Sequence, residues 1–255
     1  VYKDKRIELL NALSEDYFVT QFIRDFLRLG GEGVHTPKYA LGFQRMTAHR
    51  LLSDLDWTDS VIAQSRTTDR DEMAVNTARA IIAAATYFWS LKVIRMLDLD
   101  SIPPHIVSRE QLPYRATFHI FERPVLIKRS EDDYTYMDAY LLADWDDGCY
   151  RVIIGGNETS ALRVSVDRPL EYGLPYSGHG GAQDTLTLAM LGFLNSKFIH
   201  FSRVSQDRAE RRRIEKSGAL QSDVNIVTLR ALENIPSTSS SSGEHGRYKH
   251  RFMIR

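Results

Sequence analysis

The 255-residue chain is 43% hydrophobic and 26% charged, a composition that excludes wholesale disorder and suits a folded globular protein. Thirty-three basic residues balance thirty-three acidic ones, which excludes tight, non-specific adhesion of the whole surface to nucleic acid or anionic lipid and leaves only local patches for such contacts. The single cysteine, Cys149, cannot form an internal disulfide, so a reducing compartment, the cytoplasm, is the expected location.

Ile7, Leu10, Leu13, Phe18, Phe22, Ile23, Phe26 and Leu27 recur mostly at three- and four-residue steps across residues 5–29, a helical period. Ser14, Glu15 and Asp16 interrupt it with a fresh N-cap, predicting two short helices ended by Gly30, Gly31 and Gly33. A third helix is expected over 37–55, with Pro37 acceptable in its first turn and Gly42 weakening it. Thr68-Asp69-Arg70-Asp71-Glu72 has the acidic bias of a helix start and leads into a predicted helix over 74–97. Its broad apolar face of Ala78, Ile81, Ile82, Ala85, Phe88, Trp89 and Ile94 suits the centre of a bundle or, equally, a homo-oligomer contact. Arg79, Lys92 and Lys197 break up the most apolar stretches, so no membrane span is expected.

Ser101-Ile102-Pro103-Pro104 and the nearby Leu112-Pro113 cannot continue a helix and mark a candidate domain boundary. Beyond it, runs at 117–121, 125–128, 135–143, 150–154 and 161–166 are β-branched and aromatic, separated by turn residues such as Asp146-Asp147-Gly148 and Gly155-Gly156-Asn157. They predict an antiparallel meander. Leu186, Ala189, Met190, Phe193, Leu194, Phe198, Phe201 and Val204 then suggest one long helix over 183–217. A strand at 224–229, a serine-rich loop and a strand at 248–254 returning beside 224–229 complete the chain. The expected class is α+β: an N-terminal helical bundle over residues 1–100, then an antiparallel β-sheet with one long packed helix over 114–255. These form two domains or one continuous domain.

Two constellations have binding chemistry. Gly178, His179, Gly180 and Gly181 form a glycine-rich turn before a predicted helix, where free N–H groups and the helix dipole can receive a phosphate or carboxylate. The turn matches no known nucleotide fingerprint, and Gln183 and Asp184 compete for the same donors. Arg208, Arg211, Arg212 and Arg213, with Lys249 and Arg251 on the returning strand, would form one positive surface, the footprint of phosphate-backbone contact. Asp207, Glu210 and Glu215 dilute it, and a solvated charged helix end is the plainer reading.

Acidic residues from Glu131 to Asp147 fall mostly in turns, where aspartate serves its own backbone. The eight histidines show no metal-ligand spacing, Cys149 reads as a packing residue, and Ser177 lacks a nucleophile elbow. No metal, cofactor or catalytic assignment follows.

Residues 208–218, 223–230 and 248–255 together resemble the C-terminal part of a family of uncharacterised proteins from actinobacterial chromosomes, plasmids and phages, over about the last fifth of the chain. In that family the final strand leads into a Gly-His-Trp-Arg segment, whereas this chain stops at Arg255, so a C-terminal piece is expected to follow. The resemblance implies a bacterial or mobile-element setting and transfers no activity. The leading expectation is a non-enzymatic binding protein that contacts nucleic acid or a protein partner through its basic C-terminal surface. The alternatives are an enzyme on a phosphate-containing ligand at the glycine turn, and an antitoxin-like or host-directed interaction factor.

Overall fold

The computed structural model describes residues 1–28, 36–54, 69–96, 105–128, 134–145, 148–156, 162–176, 182–204, 208–218 and 223–230. Helices α1 (Tyr2–Ser14) and α2 (Tyr17–Arg28) break where the sequence predicts. There the Asp16 carboxylate accepts from the backbone N–H groups of Phe18, at 2.8 Å, and Val19, satisfying donors that a helix start leaves open. A 3-10 turn at Pro37–Tyr39 leads into α3 (Ala40–Ser53). Asp69 caps α4 (Arg70–Ala83) through the N–H groups of Asp71 and Glu72.

The predicted helix over 74–97 is corrected: α4 stops at Ala83, and Ala85–Trp89 forms strand β1 before a short helix α5 (Leu91–Ile94). Gln44, buried on α3, explains the break. Its Nε2 donates to the carbonyls of Ile81 and Ala84, and its Oε1 accepts from the Thr86 hydroxyl. The last carbonyls of α4 are thus satisfied from another element and the chain is released into extended conformation. Because β1 is buried on both faces it reads as a continuous apolar run, which periodicity cannot tell from a helix.

Next come β2 (His105–Ile106), β3 (Ala116–Lys128), β4 (Tyr134–Trp145), β5 (Gly148–Gly156), β6 (Leu162–Glu171) and β7 (Pro175–Tyr176). Strands β3 to β6 make the expected antiparallel meander. A register shift in β3 between Ile120 and Val125 spans Pro124, which cannot donate to the ladder. Strands β2 and β7 pair separately.

The long helix over 183–217 is also corrected. Helix α6 (Ala182–Leu194) is followed by strand β8 (Ile199–Arg203) and helix α7 (Arg208–Ser217). Asn195 ends α6, its side chain donating to the carbonyls of Leu191 and Gln111. The stretch 199–203 then pairs antiparallel with β9 (Val224–Leu229), so tertiary pairing overrides a helix-compatible pattern.

The main sheet runs β6-β5-β4-β3-β1-β9-β8. It is mixed rather than wholly antiparallel, since β1 lies parallel to both β3 and β9. The class is α+β, and the first hundred residues contribute a strand to the sheet as well as helices. One face, with Phe88, Phe118, Ile120, Leu141 and Val152, packs against α1 to α4 and Ile214 of α7. The other, with Trp89, Tyr140, Leu142 and Ile153, packs against α6. No helix among the described residues is long and apolar enough to cross a membrane.

Candidate functional site

Helix α7 carries five cations and two carboxylates in ten residues. Ile214 is its buried anchor, and Arg208, Arg211, Arg212 and Arg213 are all exposed. At 100° per residue Arg208, Arg212 and Lys216 share one outward stripe, with successive cations about 6 Å apart along the axis. Arg211 and Arg213 fall on opposite flanks, and Glu215 interrupts the exposed face. The four arginines make no ion pair among the described residues, whereas Arg203 on β8 is paired with Asp223 at 2.8 Å.

The Arg213 flank borders a cleft of about 120 Å³ between α2, the Pro37–Tyr39 turn, α3 and α7. Tyr17, Phe18, Phe22 and Tyr39 supply aromatic walls, and Gln21, Lys38, Glu210 and Arg213 supply the polar groups. Buried Asp25 fixes one of these walls and one of the polar groups. It accepts from Gln21 Nε2 at 3.0 Å and from the Tyr39 hydroxyl. Its carboxyl is held below the usual range chiefly by the Gln21 bond, then, against the opposing effect of burial, by Tyr39, Arg28 and Lys38. At the floor, α2 and α3 meet at Gly42, where a Cβ would lie 2.7 Å from Phe22 Cβ and 3.0 Å from the Phe18 carbonyl oxygen.

Polar groups on the α6 side of the sheet are deeply buried and mutually satisfied. Arg151 Nη1 meets Asp184 Oδ1 at 2.5 Å, with the arginine side chain 2% exposed. The indole N–H of Trp89 donates to His119 Nδ1 at 3.0 Å. Because an indole can only donate, Nδ1 is an acceptor and Nε2 carries the proton, donating to Thr117 Oγ1 at 2.9 Å. Burial pushes the His119 pKa down to about 3 and the Cys149 thiol up to about 12, so neither group is charged near neutral pH. Tyr140 and Thr187 share a buried hydroxyl hydrogen bond, and nearer the surface Asp144 accepts from exposed Arg109 and half-buried Tyr172. Every one of these side chains holds strands or helices together, and none opens onto a cleft identified among the described residues.

No family model, curated protein or solved structure matches the chain. The functional reading therefore rests on the residues themselves.

Of the site residues expected from sequence, Arg208, Arg211, Arg212 and Arg213 are placed on α7. Gly178, His179, Gly180 and Gly181 lie outside the described residues, as do Lys249 and Arg251 and the acids at 131–133 and 146–147. The strand expected at 248–254 lies outside the described residues. Strand β9 pairs with β1 on one side and β8 on the other, so neither edge is free along residues 225–227. Among the described residues no group of three or more His, Cys, Asp or Glu side chains is arranged to hold a metal ion. Sequence reading missed the aromatic cleft, whose residues come from four separate elements. It also missed buried Arg151, although its place between Cys149 and Ile153 on alternating β5 positions was a legible sign that it points inward.

Proposed function

We propose that the protein binds nucleic acid, contacting phosphates through the exposed face of α7. The observation that carries this reading is the arrangement of Arg208, Arg212 and Lys216 on one outward stripe, flanked by Arg211 and Arg213, with the helix anchored through Ile214. Cations about 6 Å apart match every second phosphate of a strand whose charges repeat about every 3.4 Å along a duplex axis. Guanidinium groups that make no ion pair among the described residues can engage phosphate oxygens without first breaking one there. The neutral net charge of the chain fits a contact confined to one patch, because uniform non-specific binding would need a broadly basic surface. The C-terminal resemblance supports a bacterial or mobile-element setting.

Fluorescence anisotropy with labelled single-stranded and duplex oligonucleotides over a salt series tests the reading. The variant Arg208→Ala/Arg211→Ala/Arg212→Ala should bind more weakly and show a log K against log salt slope shallower by about one per lost phosphate contact. Its circular dichroism should be unchanged, since all three side chains are exposed. Equal affinity and equal slope for a folded variant would reduce α7 to a solvated surface.

A further inference from the structure

The cleft beside Arg213 is too small to enclose a whole ligand. Its volume of about 120 Å³ falls well below the roughly 300–1,000 Å³ of pockets that bury one, so it takes a single flat group while the rest of the ligand lies outside. The walls suit an aromatic guest. Tyr17 and Tyr39 are half-buried at the cleft, Phe18 and Phe22 line it as buried rings, and every nucleobase has a π-face for such a wall.

The polar groups are placed for the remainder of a nucleotide. Lys38 and Arg213 are exposed cations of the lining, while Glu210 adds a carboxylate and the Gln21 amide is held by Asp25. The Lys38 ammonium lies 5.2 Å from the centre of the Tyr39 ring, so cation and ring form one unit, and Asp25 holds the ring through its hydroxyl. A fixed wall keeps the ordering cost of binding small. Glu210 repels phosphate from the cleft interior, which favours base inside and backbone along the Arg213 flank of α7.

We infer that the protein selects single-stranded nucleic acid, inserting one unpaired base between Tyr17 and Tyr39 while Arg213 and the α7 stripe hold its backbone. This rests on the phosphate-binding reading of α7 and narrows it. In a duplex the bases are stacked and paired inside the helix and cannot enter such a cleft without being extruded.

Anisotropy with three labelled 12-mers on the full-length chain tests this: a mixed-sequence single strand, its duplex, and a single strand of abasic residues with the same phosphates. Wild type should bind the base-bearing strand at least about fivefold more tightly than the abasic one. Tyr39→Leu should bring it down to the abasic level, and Tyr39→Phe should largely retain the preference. Arg213→Gln, at an exposed position that folding does not depend on, should weaken the base-bearing single strand more than the duplex, which gives a second reading should Tyr39→Leu not fold. Equal binding of base-bearing and abasic strands, or a duplex bound as well as the single strand, overturns the inference while leaving phosphate binding by α7 intact. Failure of all three probes to bind overturns both.

Discussion

His119 shows how neighbours fix the chemistry of one side chain. It is fully buried, stacked on Tyr87 with ring centres 5.3 Å apart, and held as the neutral Nε2–H tautomer between Trp89 and Thr117. Its folded-state pKa, lowered by burial to about 3, lies below the usual 6.5, so the unfolded chain takes up the proton first. The stability contributed is complete above about pH 6.5 and is lost as pH falls towards 3, at up to about 1.4 kcal/mol per pH unit. His119→Gln, which keeps one donor and one acceptor without titrating, should flatten the fall in urea midpoint between pH 6.5 and 4. Parallel slopes for variant and wild type would assign the acid sensitivity to other groups. The position was readable as inward-facing from the alternation of Thr117, His119 and Phe121. Its partner Trp89 was not, because the apolar run of β1 also fits a helical period.

Among elements, the capped starts of α2 and α4 were legible and the strand β1 was not, for a common reason. Asp16 and Asp69 cap through neighbours two and three residues away, and such local chemistry is written in adjacent letters. The end of α4 depends on Gln44, some forty residues earlier, and β8 depends on β9, more than twenty residues later. Gln44→Leu should therefore destabilise the protein strongly. It removes the side-chain partner of the Ala84 carbonyl and the Thr86 hydroxyl in the core, and leaves the Ile81 carbonyl with only the Ala84 N–H; a buried polar group left unpaired costs about 1–3 kcal/mol. A loss of at least about 2 kcal/mol by urea denaturation is expected, and a loss below about 0.5 kcal/mol, the range of ordinary surface changes, would show that Gln44 does not hold the junction. The cleft was illegible on the same grounds: Tyr17 and Tyr39 are unremarkable in sequence, Arg213 stands out only as part of a basic run, and the three meet only through the packing of α2, α3 and α7.

At the scale of the molecule, β1 joins two sets of strands that are otherwise separate. The meander β3 to β6 lies on one side of it and the β9–β8 pair on the other. The helices α1 to α4 cover the shared face. A fragment spanning residues 105–255 lacks the strand that links its two pieces and the helices that bury them, and should show no cooperative thermal transition. For the full chain, tryptophan fluorescence and far-ultraviolet circular dichroism should report coincident unfolding. A sharp transition in the fragment would show that its sheet closes without β1. The meander itself was legible, since each of its pairings joins consecutive strands. The parallel pairings of β1 were not, because nothing near 85–89 announces partners at 117–121 and 224–227.

The position of β9 beside β1 also sets a timetable for synthesis. About 135 residues separate the end of β1 from the start of β9. At roughly 5–20 residues per second the ribosome takes on the order of 7 to 30 s to deliver them. Throughout that interval Ala85–Trp89, a run of aromatic and β-branched residues, presents an unpaired backbone edge beside a growing population of identical nascent chains on the same message. The mature fold pairs this segment on both edges and buries Thr86 to Trp89, so the cell's exposure to it is confined to translation, and slowing elongation between residues 90 and 223 should lower the yield of native protein without altering the stability of what does fold.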